Sequence, residues 1–252
     1  MSNPNTHTSS LLTLVLDEIN NIKTLHRSAH NKRLEFAIHV CLVAHGVRTG
    51  YLVDTLCPPN PTDTFRTLLM TLRTKSAVFK HVMVWHHTPT TQSFLVHVPR
   101  LQDKITALLD GAGECVFIKL DKCLSVFKDP PDALREALEG VRSTMAESPD
   151  ALVLSLSELF TQEILIPLAA VVIDYPVAYF PAFSTQTSFL EREPLDIYTV
   201  SFKWTSETSD FTLGLGRRTC AVEIFLPTGS RPQVTSNCHQ EHPLLSPMAQ
   251  KP

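Results

Sequence analysis

Residues 155–180 constrain the fold most strongly, because a helix signal, an apolar run and a strand signal follow one another directly. The stretch Ser155-Leu-Ser-Glu158 has the spacing of a capping box, in which a serine oxygen and a glutamate satisfy the free amides of a helix start. It predicts a helix that begins near Ser155. Pro167 removes one hydrogen bond within that helix, so we expect a kink, or an end and a restart, at this point.

The apolar run within this stretch predicts a core segment rather than a membrane span. Residues 164–173 are apolar and contain Pro167, whereas a spanning helix needs about 20 apolar residues. Residues 1–10 are polar and lack the basic start and apolar centre of a signal peptide. The six cysteines form no Cys-x-x-Cys pair, which is typical of reduced thiols. These features predict an intracellular, cytoplasmic protein without a membrane partner.

Composition predicts one large domain and no electrostatic footprint for nucleic acid. The chain has 252 residues, 43% of them hydrophobic, which is enough for a substantial core. Its net charge is −3, with neither sign gathered into a block, so we expect no nucleic-acid partner. We predict a disordered N-terminus over residues 1–9, a single α/β domain over 10–228, and a disordered tail over 229–252, which is rich in Pro, Ser, Gln and His.

Hydrophobic periodicity predicts alternating helices and strands. Helical spacing of apolar residues predicts helices over 10–26 and 34–46, from residues 60, 101 and 129, and from Ser155. Short apolar runs predict strands at 51–56, 81–86, 93–98, 114–120, 123–127, 151–154 and 177–180, and alternation predicts two more at 196–204 and 219–226. The pairs 81–86 with 93–98 and 114–120 with 123–127 are spaced as hairpins. We therefore predict an α/β fold with a mixed central sheet, partly parallel, helices on both faces, and antiparallel C-terminal strands.

Three segments resemble an uncharacterised eukaryotic family, that of the human chromosome 1 open reading frame 74 product. They are Gly46-Val-Arg-Thr-Gly-Tyr-Leu-Val-Asp54, residues 159–180 with Tyr175-Pro-Val-Ala-Tyr179, and Leu195-Asp-Ile-Tyr-Thr-Val-Ser-Phe202. The resemblance covers residues 34–226. It implies a domain of unknown function without an established activity, so it assigns no catalytic residue.

Polar residues that follow apolar strands are the candidates for a site. Ligands of parallel sheets bind beyond the carboxyl ends of the strands, and these positions hold Asp54, His86, His87, Asp121 and Ser155. If the strands are parallel neighbours, the side chains form one cleft with acid and base capacity. The predicted hairpins weaken this expectation, since antiparallel neighbours send such residues to opposite edges.

Each candidate also has a structural interpretation. His86 and His87 point to opposite faces of a strand, which disfavours a shared metal ion and favours histidines at a strand end. Asp54 is a general base or a capping carboxylate for the next helix. Asp174 follows an apolar run, so burial could raise its pKa as in active sites; otherwise it marks the turn between helix and strand.

No complete catalytic, metal-binding or cofactor-binding motif is present, which leaves two functional hypotheses. The first is a non-catalytic interaction or scaffold protein that binds a protein partner or a small molecule. The second is a hydrolase or transferase with a strand-end site that includes Asp54 and His86, with His87, Asp121 and Asp174 as further candidates. We expect neither a cofactor nor a metal.

Overall fold

Helices and strands alternate along this chain, as its apolar periods predict. The structure is a computed structural model that describes residues 11–121, 125–181, 195–202 and 220–227, the last two as backbone. The chain divides into two compact units: the first holds the described residues 11–121 and 125–181, and the second holds the other two stretches. The predicted disordered segments, residues 1–9 and 229–252, lie outside the described residues.

The described ranges contain seven α-helices and nine strands. The helices are α1 (Leu11–Asn21), α2 (Lys23–His26), α3 (His30–Ala44), α4 (Pro61–Lys75), α5 (Val98–Leu109), α6 (Asp132–Glu147) and α7 (Gln162–Val172). The strands are β1 (Gly50–Leu52), β2 (Val82–His87), β3 (Gln92–His97), β4 (Val116–Leu120), β5 (Ser125–Phe127), β6 (Val153–Ser155), β7 (Val177–Pro181), β8 (Leu195–Phe202) and β9 (Cys220–Pro227).

The first sheet has the strand order β1-β3-β2-β6. The predicted hairpin of β2 and β3 is confirmed, with Trp85 opposite Phe94. Strand β6 joins the other side of β2 in parallel, with Leu154 beside Trp85. Since β1 is antiparallel to β3 and β3 is antiparallel to β2, strands β1, β2 and β6 all run in the same direction.

The second sheet has the order β5-β4-β7 and is also mixed. Strands β4 and β5 form the second predicted hairpin, whose connecting residues 122–124 lie outside the described part, and β7 pairs with β4 in parallel. In the second unit, β8 and β9 pair antiparallel along their full length. The predicted α/β fold class, with partly parallel strands and antiparallel C-terminal strands, is confirmed. Two sheets, rather than one, contain both parallel and antiparallel strand pairs.

Two hydrophobic layers cover the two faces of the first sheet. Alternate residues of β2 point to opposite sides: Trp85 belongs to one layer and Val84 to the other. The Trp85 layer takes side chains from α5, α6 and α7, and the Val84 layer takes side chains from α1, α3 and α4. Helices therefore flank the sheet on both faces, as its continuous apolar strands require.

Local signals set several of the boundaries. Helix α6 begins at Asp132, directly after the two prolines, and buries the predicted apolar stripe. Gly46 ends α3 with φ of 65°, which a residue without Cβ adopts without strain, and its amide donates to the carbonyl of Val43. Asn60 precedes α4 as predicted, although its side chain makes no capping hydrogen bond.

The predicted helix start at Ser155 is wrong, because α7 begins at Gln162. Ser155 still belongs to β6, and the amide of Leu156 donates to the carbonyl of His86 at 2.8 Å. Pairing with β2 therefore uses the backbone that a helix start would need. Pro167 lies inside α7, and the helix does not end there.

Gly140 offers a first test of the fold. It lies in the middle of α6, and a Cβ added at this position would meet no atom within 4 Å. Gly140→Ala is therefore expected to raise the free energy of unfolding by about 0.5–1 kcal/mol, because alanine has the higher helix propensity. Urea unfolding would measure the change, and a less stable variant would contradict the open surroundings described for this position.

Candidate functional site

Four strand-end residues meet at one edge of the first sheet. Asp54 follows β1, His86 and His87 end β2, and Ser155 ends β6. The register places His86 directly beside Ser155. Strand β3 separates β1 from β2, so the backbone after β1 is about 10 Å from β2, two strand spacings. The parallel direction that a strand-end cleft requires is thus present in this sheet.

The two histidines are buried on opposite faces of the sheet, and the ring of each forms a hydrogen bond with a nearby hydroxyl group. His86 is 7% exposed, and its Nδ1 lies 2.9 Å from Oγ of Ser93 on β3. His87 is 1% exposed, and its Nδ1 lies 2.8 Å from Oγ1 of Thr90. Burial, followed by the neighbouring His87, lowers the pKa of His86, so this ring is neutral near pH 7. These contacts fix the rings in the sheet.

Asp54 is exposed and belongs to a polar cluster beside β1. The hydroxyl of Tyr51 donates to Oδ1 of Asp54 at 3.1 Å, and burial raises the pKa of Tyr51, so the proton stays on the hydroxyl. The ring of His39 stacks on Tyr51 with 4.3 Å between centroids. Nη1 of Arg48 lies 2.9 Å from Nδ1 of His39, which must accept because arginine only donates. Burial, followed by Arg48, lowers the pKa of His39 to about 4.

Asp121 and Asp174 do not belong to this set of strand ends. Asp121 follows β4, which belongs to the second sheet. Asp174 accepts a hydrogen bond from the amide of Thr49, and Thr49 precedes β1, whereas Asp54 follows it. Asp174 is therefore at the opposite end of β1 from Asp54. The five predicted residues do not form one cluster.

Asp174 joins three distant parts of the chain. It follows α7 with φ of 65°, its Oδ2 accepts from the amide of Thr49 at 2.7 Å, and its Oδ1 accepts from Nζ of Lys104 at 2.8 Å. Burial alone would raise the pKa of Asp174, as the sequence suggested. The hydrogen bonds from Lys104 and Thr49 outweigh burial and lower this pKa instead. The contacts are those of a structural ion pair.

Arg100 extends this network along α5. Its Nε donates to Oγ1 of Thr49 at 3.2 Å, and its Nη1 donates to the carbonyl of Gly46 at 2.6 Å. Nδ1 of His97 accepts the amide of Arg100 and so caps α5. Sequence reasoning missed Thr49, His97, Arg100 and Lys104, because each finds its partner through the fold and none stands in a recognisable local motif.

A groove between α6 and the segment that leads from β6 into α7 is a separate candidate site. Its volume is about 480 Å³. It is lined by Ala133, Glu136, Ala137, Gly140, Val141, Thr144, Leu154, Ser155, Leu156, Ser157, Leu159, Phe160 and Ile164. Of the strand-end candidates Ser155 is among them, whereas Asp54, His86, His87, Asp121 and Asp174 are not. Leu159 is 86% exposed, a large apolar side chain that the described residues leave uncovered.

The shape of the groove follows from a turn and a row of small residues. Ser157 forms the turn: its Oγ accepts from the amide of Leu159 at 3.3 Å, and its carbonyl accepts from the amide of Phe160 at 3.1 Å. Along α6, Ala133, Ala137 and Gly140 recur at helical spacing and leave room beside the helix. This row was the sequence signal for the groove, although the incorrect helix at Ser155 concealed the facing wall.

The described residues contain no group of three or more His, Cys, Asp or Glu side chains that suits a metal ion. Within the same residues, every helix is too short or too polar to cross a bilayer. A smaller cavity of about 430 Å³ lies near the start of α4 and is lined in part by Asp63, Arg66 and Asp150. Because carboxylates and an arginine both line this cavity, its charges favour neither an anionic nor a cationic ligand.

Comparison with known proteins gives one match. A family model described as Domain of unknown function (DUF4504) matches residues 19–216, well over half of the chain. No curated protein and no solved structure matches the sequence. The match contains the segments 46–54, 159–180 and 195–202, and its description assigns no activity.

Proposed function

The chain belongs to the DUF4504 family, and from its own geometry we propose that it is a non-catalytic interaction protein whose groove beside α6 receives a segment of another protein. The observation that carries this proposal is Leu159, which is 86% exposed at the rim of an apolar groove. Contiguous exposed apolar patches mark interaction sites, whereas single exposed apolar side chains do not, and Leu159 counts here because it lines the groove together with other apolar residues.

The alternative, a hydrolase or transferase site with Asp54 and His86, is supported only by their shared sheet edge. Ser93 contacts the ring of His86, Tyr51 contacts the carboxylate of Asp54, and neither residue lines the groove. A general base must reach the proton that it removes. The interaction hypothesis therefore has the stronger geometric support.

Two finer statements belong to the same proposal. Within its family, we place the chain with the human chromosome 1 open reading frame 74 product, on the three segments that resemble it. We also place the protein in the cytoplasm, with a protein partner and neither nucleic acid nor membrane. The three cysteines with described side chains, Cys41, Cys57 and Cys115, are free thiols, which suits a reducing compartment.

Site-specific photocrosslinking in cells tests the interaction. A benzophenone amino acid at position 159 is expected to give an adduct with one discrete partner protein. The same group at position 70 serves as the control, because Met70 is also exposed, at 52%, and lies on α4 outside the groove. Equal adducts from both positions would contradict the proposal. So would a crosslink from position 159 only to this chain itself or to a second copy.

A further inference from the structure

Resting on the proposed function, we propose that the groove selects a basic amphipathic helix, in which Lys and Arg flank an apolar face. Two properties of the groove support this choice of partner. Its apolar lining and the small residues Ala133, Ala137 and Gly140 on α6 leave room for a helix with apolar side chains. Its charged surroundings are acidic, which favours cations beside that apolar face.

The apolar requirement follows from the walls of the groove. Leu154 and Leu156 belong to the segment on one side, and Ala137 and Val141 belong to α6 on the other. Gly140 leaves open space beside α6, so another backbone can approach the helix closely. Helices that bind in such grooves insert anchors spaced three or four residues apart. The exposed Leu159 extends the apolar contact to the rim.

The charge requirement follows from residues in and beside the groove. Glu136 is the only charged residue among those that line it, and none of the described lining residues is Lys or Arg. Glu158 stands between the lining residues Ser157 and Leu159, and Glu163 directly precedes Ile164. Glu136, Glu158 and Glu163 thus give three acids in the groove or next to its lining residues in sequence, whereas the basic residues between Asp132 and Glu163 are Arg135 and Arg142.

The two arginines of this region do not neutralise the groove. Nη1 of Arg135 donates to the carbonyl of Leu109 at the end of α5. Arg135 and Arg142 both lie on the side of α6 opposite to Ala137 and Gly140 by helical spacing. A positively charged partner therefore meets acids at the groove, and electrostatic complementarity of this kind selects partners and their orientation.

Three labelled peptides of 14 residues test the inference by fluorescence anisotropy at physiological salt. The first has leucines at helical spacing and lysine at the other positions, the second has glutamate in place of each lysine, and the third has serine in place of each leucine. The full-length protein is expected to bind the leucine–lysine peptide at least about tenfold more tightly than either of the others, a difference of about 1.4 kcal/mol.

Matched variants locate the binding. Gly140→Leu fills the groove and is expected to weaken binding of the leucine–lysine peptide about tenfold, whereas Ala146→Leu, on the opposite side of α6, changes it less than about twofold. Glu136→Lys is expected to weaken binding about fivefold more than Glu139→Lys, which changes the same charge outside the groove.

The outcomes separate the two proposals. If the lysine and glutamate peptides bind with equal affinity and Gly140→Leu abolishes both, the partner is not basic, but the groove is still an interaction site. Binding that Gly140→Leu does not weaken would overturn the groove itself. Equal affinity for the serine–lysine peptide would show charge attraction alone and overturn the amphipathic helix, as would the absence of binding by the leucine–lysine peptide.

Discussion

Gly50→Ala is expected to lower the free energy of unfolding by about 1–3 kcal/mol, the usual cost of overpacking a core. An added Cβ would lie 2.5 Å from Cγ1 of Val172, and 3.0 and 3.1 Å from the carbonyl oxygens of Val172 and Leu95. Val172 is buried, its branched side chain has few alternative rotamers, and carbonyl oxygens do not rotate away. Urea unfolding at constant slope would measure the loss.

A double-mutant cycle with Val172→Ala tests the cause. Removing Cγ1 relieves the shortest contact, so Gly50→Ala should cost less in the Val172→Ala background than in the wild type. Gly140→Ala is the matched control, because the same substitution there meets open space. Additive losses at positions 50 and 172 would show that their contact is not the source, and an unchanged stability of Gly50→Ala would contradict the packing of β1 against α7.

Asp174→Ala is expected to destabilise the protein by about 3 kcal/mol. Hydrogen bonds to a charged group contribute about 1.5–3 kcal/mol, and alanine tolerates φ of 65° less well than aspartate, by at most the about 1–2 kcal/mol that this left-handed region costs. Asp174→Gly separates these contributions, because glycine removes the carboxylate but tolerates the backbone conformation. Asp174→Asn should be the mildest of the three, since its amide oxygen can still accept from Thr49. Equal stability of the alanine and glycine variants would argue against backbone strain.

The pH dependence gives an independent check on Asp174. Its pKa in the folded protein is below the ordinary value of about 4. Its ionisation therefore stabilises the fold fully above the ordinary pKa, and this stabilisation is lost as the pH falls through the folded pKa. The stability difference between wild type and Asp174→Asn should be constant near pH 7 and should shrink in acid. A difference that grows on acidification would contradict the ion pair with Lys104.

Helices and hairpins could be predicted where the residues that carry the sequence pattern are the same residues that form the element. Helix α6 begins where Pro130-Pro131 ends, and the burial of Leu134, Leu138 and Val141 follows directly from helical spacing. Strands β2 and β3 are adjacent in sequence, so their alternation and the loop between them predict their pairing. In both cases the physical cause acts over a few residues.

The incorrect helix start at Ser155 shows where local signals fail. The spacing of Ser155 and Glu158 suits a capping box, but the backbone of β6 pairs with β2, and tertiary pairing overrides a local preference. The contacts of Asp174 were hidden for the same reason, since Thr49 and Lys104 are 125 and 70 residues away in sequence. The sequence indicated that Asp174 is buried, which predicts a raised pKa, but it did not reveal Lys104 and Thr49, whose hydrogen bonds lower the pKa.

The candidate site, too, could be predicted from the sequence only in part. The strands of Asp54 and His86 could be predicted, and their common direction brings both residues to one edge of the sheet. The sequence could not show that Ser93 contacts His86 or that Tyr51 contacts Asp54, because both contacts depend on register and side-chain direction. The groove needs α6 and the segment before α7 together, and its exposed Leu159 resembles any core leucine in the sequence.

The most direct test of the interaction function combines the photocrosslinker at position 159 with the filled groove. The adduct with a discrete partner protein should form in the otherwise unchanged chain and in the Ala146→Leu chain, and Gly140→Leu should reduce it about tenfold if the lost contacts are worth about 1.4 kcal/mol. Mass spectrometry of the adduct should place the crosslink in an apolar segment of the partner beside Lys or Arg. An adduct of the same yield in the Gly140→Leu chain, at equal protein stability, would contradict the account.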